Sequence, residues 1–544
     1  MGSSNKTQDI INMKYILLTL LSMVAVGSLA QVPAAPTEMS ALGTRSWIKV
    51  TWKDNAINET GYKLYWSENR KKPTQPGITL APNACSYYIE DLKPGKNYHI
   101  WLEVFNGQGS GKCLSVRGTT ATLWKLEATE LAELKIVPSS AAVPKGMQLY
   151  WHDEFNDLLL NRNKWTTNYF SSLNYMDMES KKEMLANTLL QPAYMLNGKT
   201  INLFVNDTIP DRLFTKKGNQ KVSSIQTYDW RTNENLLDNS KGGYFEVKVK
   251  RSSSGKPKGL NTAFWFDSPG PDLRYYLEQG TELDGIQGIR PKGQVFEIDI
   301  FEYLTAQFVL HGHVDEKGKF LHNIATHIAE GYDHINQWVT HGVLWTPTSI
   351  KHYINGNLIK EYTDKNKIFS PNHFMSVFLG TYGSEGNVNM EVDYIRAYNW
   401  PVSKGNELPN PGFEDSGSLI PWEGNGELAI GAGVKGSTGL RLQPGQKVEQ
   451  YLYLDNDAHY MLDYWVRGKG MLRVNVFDVA MVSGELSNLV KSQRSVVGRF
   501  TKKSIRFKSG KEHGKNKKTV KIVFENTGTS TVILDEVRIK YQSE

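Results

Sequence analysis

Glu297-Ile298-Asp299-Ile300-Phe301-Glu302 sets three carboxylates inside six residues of an otherwise apolar run. Alternation at period two makes it a strand with an apolar face and an acidic one. A buried charge must be paired or neutralised, so acids at this density point to a face built to use them. Glu297 and Asp299 are two apart and share that face. Glu302 is five from Glu297 and would point away in a regular strand; one inserted residue, a β-bulge around Ile300-Phe301, brings it back. Four effective steps of ~3.3 Å put roughly 13 Å between the two Glu Cα atoms, and side chains reaching about 3.5–4 Å each leave roughly 5–6 Å between carboxylates. That is near the ~5–5.5 Å at which one carboxylate attacks a sugar and the other protonates the leaving oxygen, whereas inversion needs more room for water. Asp299, between them, can share a proton and keep the two Glu pKa values apart. The competing reading is an edge strand with solvated acids.

Working outward, residues 146–400 carry strand-like runs with no long helical period: 147–151, 200–205, 243–250, 263–266, 295–303, 308–314, 342–345, 350–354, 375–379 and 392–397. This predicts one all-β sandwich of roughly 250 residues. Residues 31–122 alternate in short runs (Trp47 to Trp52, Tyr62 to Trp66, Tyr98 to Val104), which predicts a smaller sandwich. Residues 123–145 read as a connector, with a short helix over Lys125 to Lys135. Residues 405–544 read as a third sandwich. Its densest basic run, Lys511 to Lys518, is expected to be a solvated hairpin loop.

The 544 residues suit about three domains at roughly 100–200 residues each. Apolar residues make up 40% and charged residues 22%, a globular balance. A net charge of +7 spread over this length, with no basic patch among aromatics, argues against a nucleic-acid partner and is compatible with an anionic polysaccharide. The only two cysteines, Cys85 and Cys113, exclude a Cys/His zinc site; they form one disulfide or remain two thiols. Met13-Lys14, an apolar run to Val26 and Gly27-Ser-Leu-Ala30 read as a secretory signal peptide cut near Ala30, too short to span a membrane. No cysteine follows the cut, so no lipid anchor is expected there. Residues 1–30 are set aside as leader, and the mature protein is expected in the periplasm or outside the cell as a monomer.

The hexapeptide matches the bulged E-[ILV]-D-x-x-E pattern of glycoside hydrolase family 16. Trp151-His-Asp-Glu-Phe-Asn156 with Asn163-Lys-Trp165 resembles that family's opening strand. Gly243-Tyr-Phe-Glu-Val-Lys-Val-Lys250 followed by Ala263-Phe-Trp-Phe266 resembles its middle, and Gly342 to Trp345, Ile350 to Gly356 and Val392 to Tyr398 its closing strands. The resemblance covers about 250 residues. It implies a β-jelly-roll with a concave cleft, Glu297 as nucleophile, Glu302 as general acid/base, Asp299 as their assistant, and no cofactor for catalysis. Trp52, Gly61-Tyr-Lys-Leu-Tyr and Leu92-Lys-Pro-Gly-Lys-Asn-Tyr98 resemble a fibronectin type III module, which implies a spacer without chemistry. Asn410-Pro-Gly-Phe-Glu414, Gly433 to Gly436, Leu440-Arg-Leu442 and Leu534 to Val537 resemble a family 4-like carbohydrate-binding module.

Further site residues follow from these resemblances. Trp265 stacks on a sugar ring or packs in the core. His311 and His313 alternate after the motif, and one of them faces the carboxylates. Tyr382 reaches the cleft or packs its loop. Arg274 and Arg290 come instead from the long 267–294 stretch before the motif, where the chain departs from the family's simpler members; there they contact sulfate or carboxylate groups or stand in solvent. In the C-terminal module, Trp422, Tyr453 and Trp465 stack on glycan or fill the core, and Glu414 and Asp535 are candidates for a structural calcium. The implied activity is retaining, endo-acting hydrolysis of a β-linked polysaccharide. A β-1,3(4)-glucan is slightly favoured over an agar-, porphyran- or carrageenan-type galactan. A non-catalytic glycan binder would be expected to have lost a carboxylate, and a transglycosylase would share the mechanism.

Overall fold

The computed structural model describes residues 31–43, 48–89, 92–93, 95–120, 141–167, 169, 189–215, 218–229, 234–258, 261–267, 282–283, 286–287, 297–311, 313–314, 320–321, 324–332, 334–363, 372, 374–480, 484–511 and 517–543. The leader and the Lys125 to Lys135 segment lie outside them. Among the described residues the structure is all-β, and the helical content is two 3-10 turns, Asp415–Gly417 and Val434–Gly436. The chain divides near residue 127 into two compact units.

In the first unit, Thr37–Gly43, Ile48–Lys53 and Ser86–Ile89 form one antiparallel sheet. A second is built on Gly61–Ser67 and Asn97–Asn106. Alternation drives the packing: Ile48, Val50 and Trp52 from the first sheet meet Tyr62, Leu64, Ile100, Leu102 and Val104 from the second. Cys85 and Cys113 are free thiols.

The second unit holds two sandwiches. In the larger, an eight-stranded sheet runs Tyr194–Leu196, Ile201–Val205, Glu385–Asn399, Gly243–Lys258, Trp338–Thr346, Ser349–Ile354, Asn357–Tyr362, with Gln148–Asp153 also paired to Glu385–Asn399. It packs on a seven-stranded sheet ordered Leu213–Thr215, Gly218–Gln226, Ser376–Gly383, Asn261–Asp267, Glu297–Glu302, Gln307–His311, Ala325–Ile328. Aromatic rings bind the layers: Phe245 and Trp345 of the first sheet meet Phe266 of the second at 5.2 and 5.7 Å between centroids. The motif therefore lies on an inner strand, flanked on both sides. The edge-strand alternative is overturned: Ile298, Ile300 and Phe301 are fully buried, and both edges of the strand are paired.

The smaller sandwich, from Glu423 to Gln542, has two five-stranded sheets closed around Leu440, Leu462, Val474, Ile522, Phe524 and Leu534. The basic run at 511–518 is not a hairpin, contrary to expectation. Thr501–Lys508 pairs with His459–Gly468 in one sheet, and Lys517–Asn526 pairs with Lys447–Asp455 and Met471–Val479 in the other. Period-two patterning sees strands but not which sheet each joins, so a crossover and a turn look alike. The two sandwiches touch directly. Lys241 Nζ lies 2.6 Å from Glu407 Oε2, and Lys517 N–H donates to Asn372 O at 2.6 Å.

Candidate active site

The expected bulge is present where the spacing put it. Phe264 stands opposite Phe301 and Trp265 opposite Asp299, so Ile300 is the extra residue. On the other edge, Asp299 faces Val309 and Glu302 faces Gln307, again one residue in excess. Residues directly opposite on antiparallel strands share a face. One face of the seven-stranded sheet therefore gathers Glu297, Asp299 and Glu302 with Asp267, Trp265 and Asn261 on one neighbour and His311 on the other. Phe378 and Tyr382 follow on the next strand.

Burial sets the electrostatics of this face. Asp299 is 2% exposed, and its carboxyl is pushed well above the ordinary range, first by burial and then by Glu302 and Asp267. Glu302 is also raised, by burial above all; a hydrogen bond from Asn261 and the nearby His311 pull it down. Asn261 Nδ2 donates to Glu302 Oε1 at 3.2 Å, and Asn261 Oδ1 accepts the N–H of Tyr303. Tyr303 has a left-handed φ of 57°, a strained state for a tyrosine that its neighbours must hold. Its carbonyl accepts from Thr262 and from Arg251, whose guanidinium also reaches Thr305 O at 2.9 Å. Arg251 is itself 1% exposed, lies over the Phe301 ring at 4.4 Å, and is pushed down to about 9 by burial. Sequence reasoning missed Asn261 and Arg251. No motif marks them, because their role is to hold a turn that only the bulge creates.

The remaining predicted residues divide. His311 reaches the site, its Nε2 3.2 Å from Asp299 Oδ2. His313 belongs to a separate two-stranded ladder with Phe320–Leu321, and its side chain lies outside the described residues, as do Arg274 and Arg290. Trp265 is on the acidic face but only 6% exposed. One side of its indole stacks on Phe378 at 4.2 Å, and its Nε1 donates to Tyr382 O–H at 3.1 Å. Tyr382 in turn donates to Ser224 Oγ at 3.2 Å, so the pair forms a floor. In the C-terminal sandwich, Trp422 takes the core alternative: it is 3% exposed, packs on Phe413 and Phe524, and donates to Asn410 O. Tyr453 is likewise 3% exposed. Trp465 is half-buried on its sheet, opposite Lys502. Glu414 Oε2 and Asp535 Oδ1 converge beside Gly412, two of the about six oxygens that calcium takes. Asp535 is otherwise satisfied by Val434 N–H, Ser437 O–H and Glu536 N–H.

Residues 238–396 match the family described as Glycosyl hydrolases family 16, and residues 34–117 match the Fibronectin type III domain. No curated protein matches the chain. Among solved structures, a GlcNAcα1-4Gal releasing endo-β-galactosidase from Clostridium perfringens is 18% identical, covering 57% of this chain and 73% of its own at a TM-score of 0.36. The laminarinase catalytic domain from Thermotoga maritima is 17% identical, covering 48% and 100% at a TM-score of 0.32. An endo-β-1,3-glucanase from Pyrococcus furiosus is 21% identical, covering 49% and 100% at 0.33. Among the described residues no helix is long and apolar enough to cross a membrane. The chain thus carries a fibronectin type III domain and, after it, a family 16 glycosyl hydrolase domain, and its enzymatic class is that of an O-glycosyl hydrolase.

Proposed function

We propose that the protein is a secreted, retaining, endo-acting hydrolase of a β-linked polysaccharide, with β-1,3(4)-glucan as its first substrate. The observation that carries the reading is the one-residue bulge at Ile300, which turns Glu297, Asp299 and Glu302 to one face. Glu297 attacks the anomeric carbon while Glu302 gives its proton to the leaving oxygen. Glu302 then takes a proton from the water that releases the sugar. A raised pKa suits Glu302 to the acid step. Burial opposes ionisation of Asp299, which limits the negative charge beside the nucleophile. The smaller sandwich serves as a glycan-holding module, with Trp465 as its remaining stacking candidate.

The test is reducing-end release by residues 31–544 on laminarin, mixed-linkage β-glucan, agarose, porphyran and κ-carrageenan, with Glu297→Gln as control. Activity on a glucan that the variant loses supports the reading. Activity confined to a galactan moves the substrate class. Silence from a folded protein that still retains glycan on a column favours a binding protein.

A further inference from the structure

The acidic face holds a second kind of ligand atom besides oxygen. One oxygen of Glu297, one of Asp299 and one ring nitrogen of His311 all lie within 4.8 Å of one another. Register brings them together: His311 stands directly opposite Glu297 on the adjoining strand, and Asp299 is two residues along the same face. Asp299 is 2% exposed, and no donor serves its Oδ2. That oxygen looks across 3.2 Å at His311 Nε2, a short separation that lacks the alignment of a hydrogen bond. A buried carboxylate oxygen in this state is relieved by a positive charge placed beside it.

A dication bound to imidazole nitrogen and carboxylate oxygen sits about 2.0–2.2 Å from each, which sets neighbouring ligand atoms roughly 3.0–3.4 Å apart. The Asp299 and His311 atoms already have that spacing. Glu297, half-exposed at the start of its strand, completes the set by rotating its side chain. A set of one nitrogen and two oxygens suits a borderline transition metal and is poorly matched to calcium or magnesium, which prefer oxygen alone.

We propose that Glu297, Asp299 and His311 form a site for a transition-metal dication of the Zn2+ class, which binds on this acidic face and competes with sugar for Glu297. The ion engages the lone pair that would attack the anomeric carbon, so it inhibits. Binding follows from the geometry alone; only the competition rests on Glu297 as nucleophile.

The test is calorimetric titration of ZnCl2 into the chelator-treated full chain, with His311→Gln, His311→Ala and Glu302→Gln alongside. Expected are one saturable site, affinity lowered by at least roughly 10–100-fold in both His311 variants, the loss that removing even a ligand's supporting partner causes, and affinity within about twofold of wild type in Glu302→Gln. A hundredfold excess of Mg2+ should not displace zinc, and added polysaccharide should weaken its apparent affinity. Thermal melts and circular dichroism verify that each variant is folded. No saturable binding overturns the proposal, as does wild-type affinity in a folded His311→Gln, which would place zinc at other histidines. Zinc bound through His311 without competition from substrate overturns the inhibitory role. Failure to hydrolyse any polysaccharide would instead remove the proposed function and leave the calorimetric result standing.

Discussion

The side-chain amide of Asn261 holds Glu302 Oε1 at 3.2 Å with its nitrogen and takes the backbone N–H of Tyr303 with its oxygen. One residue thus fixes both the carboxylate and the strained turn beside it. The bond from Asn261 favours the ionised form of Glu302 and opposes the upward push of burial. Asn261→Ala should therefore raise the Glu302 pKa. A general acid works while protonated, so the alkaline limb of the pH–kcat profile should move up by roughly one to two units, as expected for loss of a charge-assisted hydrogen bond of ~1.5–3 kcal/mol. A limb that stays in place would show that Asn261 only supports the turn.

Glu297→Gln and Glu302→Gln should each lower kcat by at least roughly 10²–10⁴ while leaving the thermal melt and glycan retention intact. Glu302→Gln should suffer less on substrates with an activated leaving group, which need no proton; Glu297→Gln should not recover. Wild-type turnover in either variant would sink the assignment.

Arg251 donates to the carbonyls of Tyr303 and Thr305 from a nearly sealed position. Arg251→Met should loosen the turn after Glu302 and reduce kcat roughly 10–100-fold with KM nearly unchanged, because a shift of about 1 Å at the acid is enough. Arg251→Lys should recover little, since a single ammonium cannot replace a planar fork. A loss confined to KM would place its effect elsewhere.

Buried histidines should make the jelly-roll acid-sensitive. Burial lowers His341 far below its usual 6.5, His352 to about 3 and His327 to about 4. Between about 6.5 and 4 the unfolded chain takes up protons that the folded one refuses, so stability should fall as pH drops through that window. His341 is fully buried, and neither ring nitrogen has a partner. His341→Leu should flatten the slope by up to one proton and leave stability at pH 8 equal or higher. Denaturant melts at pH 8, 6 and 4.5 measure this, and an unchanged slope would contradict the burial argument.

Trp422 and Trp465 should separate packing from binding in the C-terminal sandwich. Trp422→Ala should destabilise that sandwich by about 3–5 kcal/mol, as a large core truncation does. Trp465→Ala should leave the melt nearly unchanged and weaken glycan retention. Retention equal to wild type would remove Trp465 from the binding reading.

Much of the architecture was legible as pattern. Period two along residues 31–122, 146–400 and 405–544 marks strands because side chains alternate across a pleat, and the acidic hexapeptide marks its own bulge because three carboxylates share a face only with one extra residue. Stacking residues were less legible. Trp422 and Trp465 are the same residue type on similar runs, yet one is 3% exposed and the other half-buried. Exposure depends on which sheet a strand joins, and that is a long-range choice.

The sequence by itself therefore determined the strands, the acidic face and the identity of its three carboxylates, since these follow from local alternation and spacing. Tertiary structure alone decided which neighbours tune them. Asn261 lies 41 residues from Glu302 and Arg251 lies 52 from Tyr303 along the chain, and they meet only because strand register brings them together. His311 was separated from His313 by the same means, as the strand leaves the sheet after His311. Register is set by the closing of the whole sandwich around its buried rings, and no local window of sequence contains it.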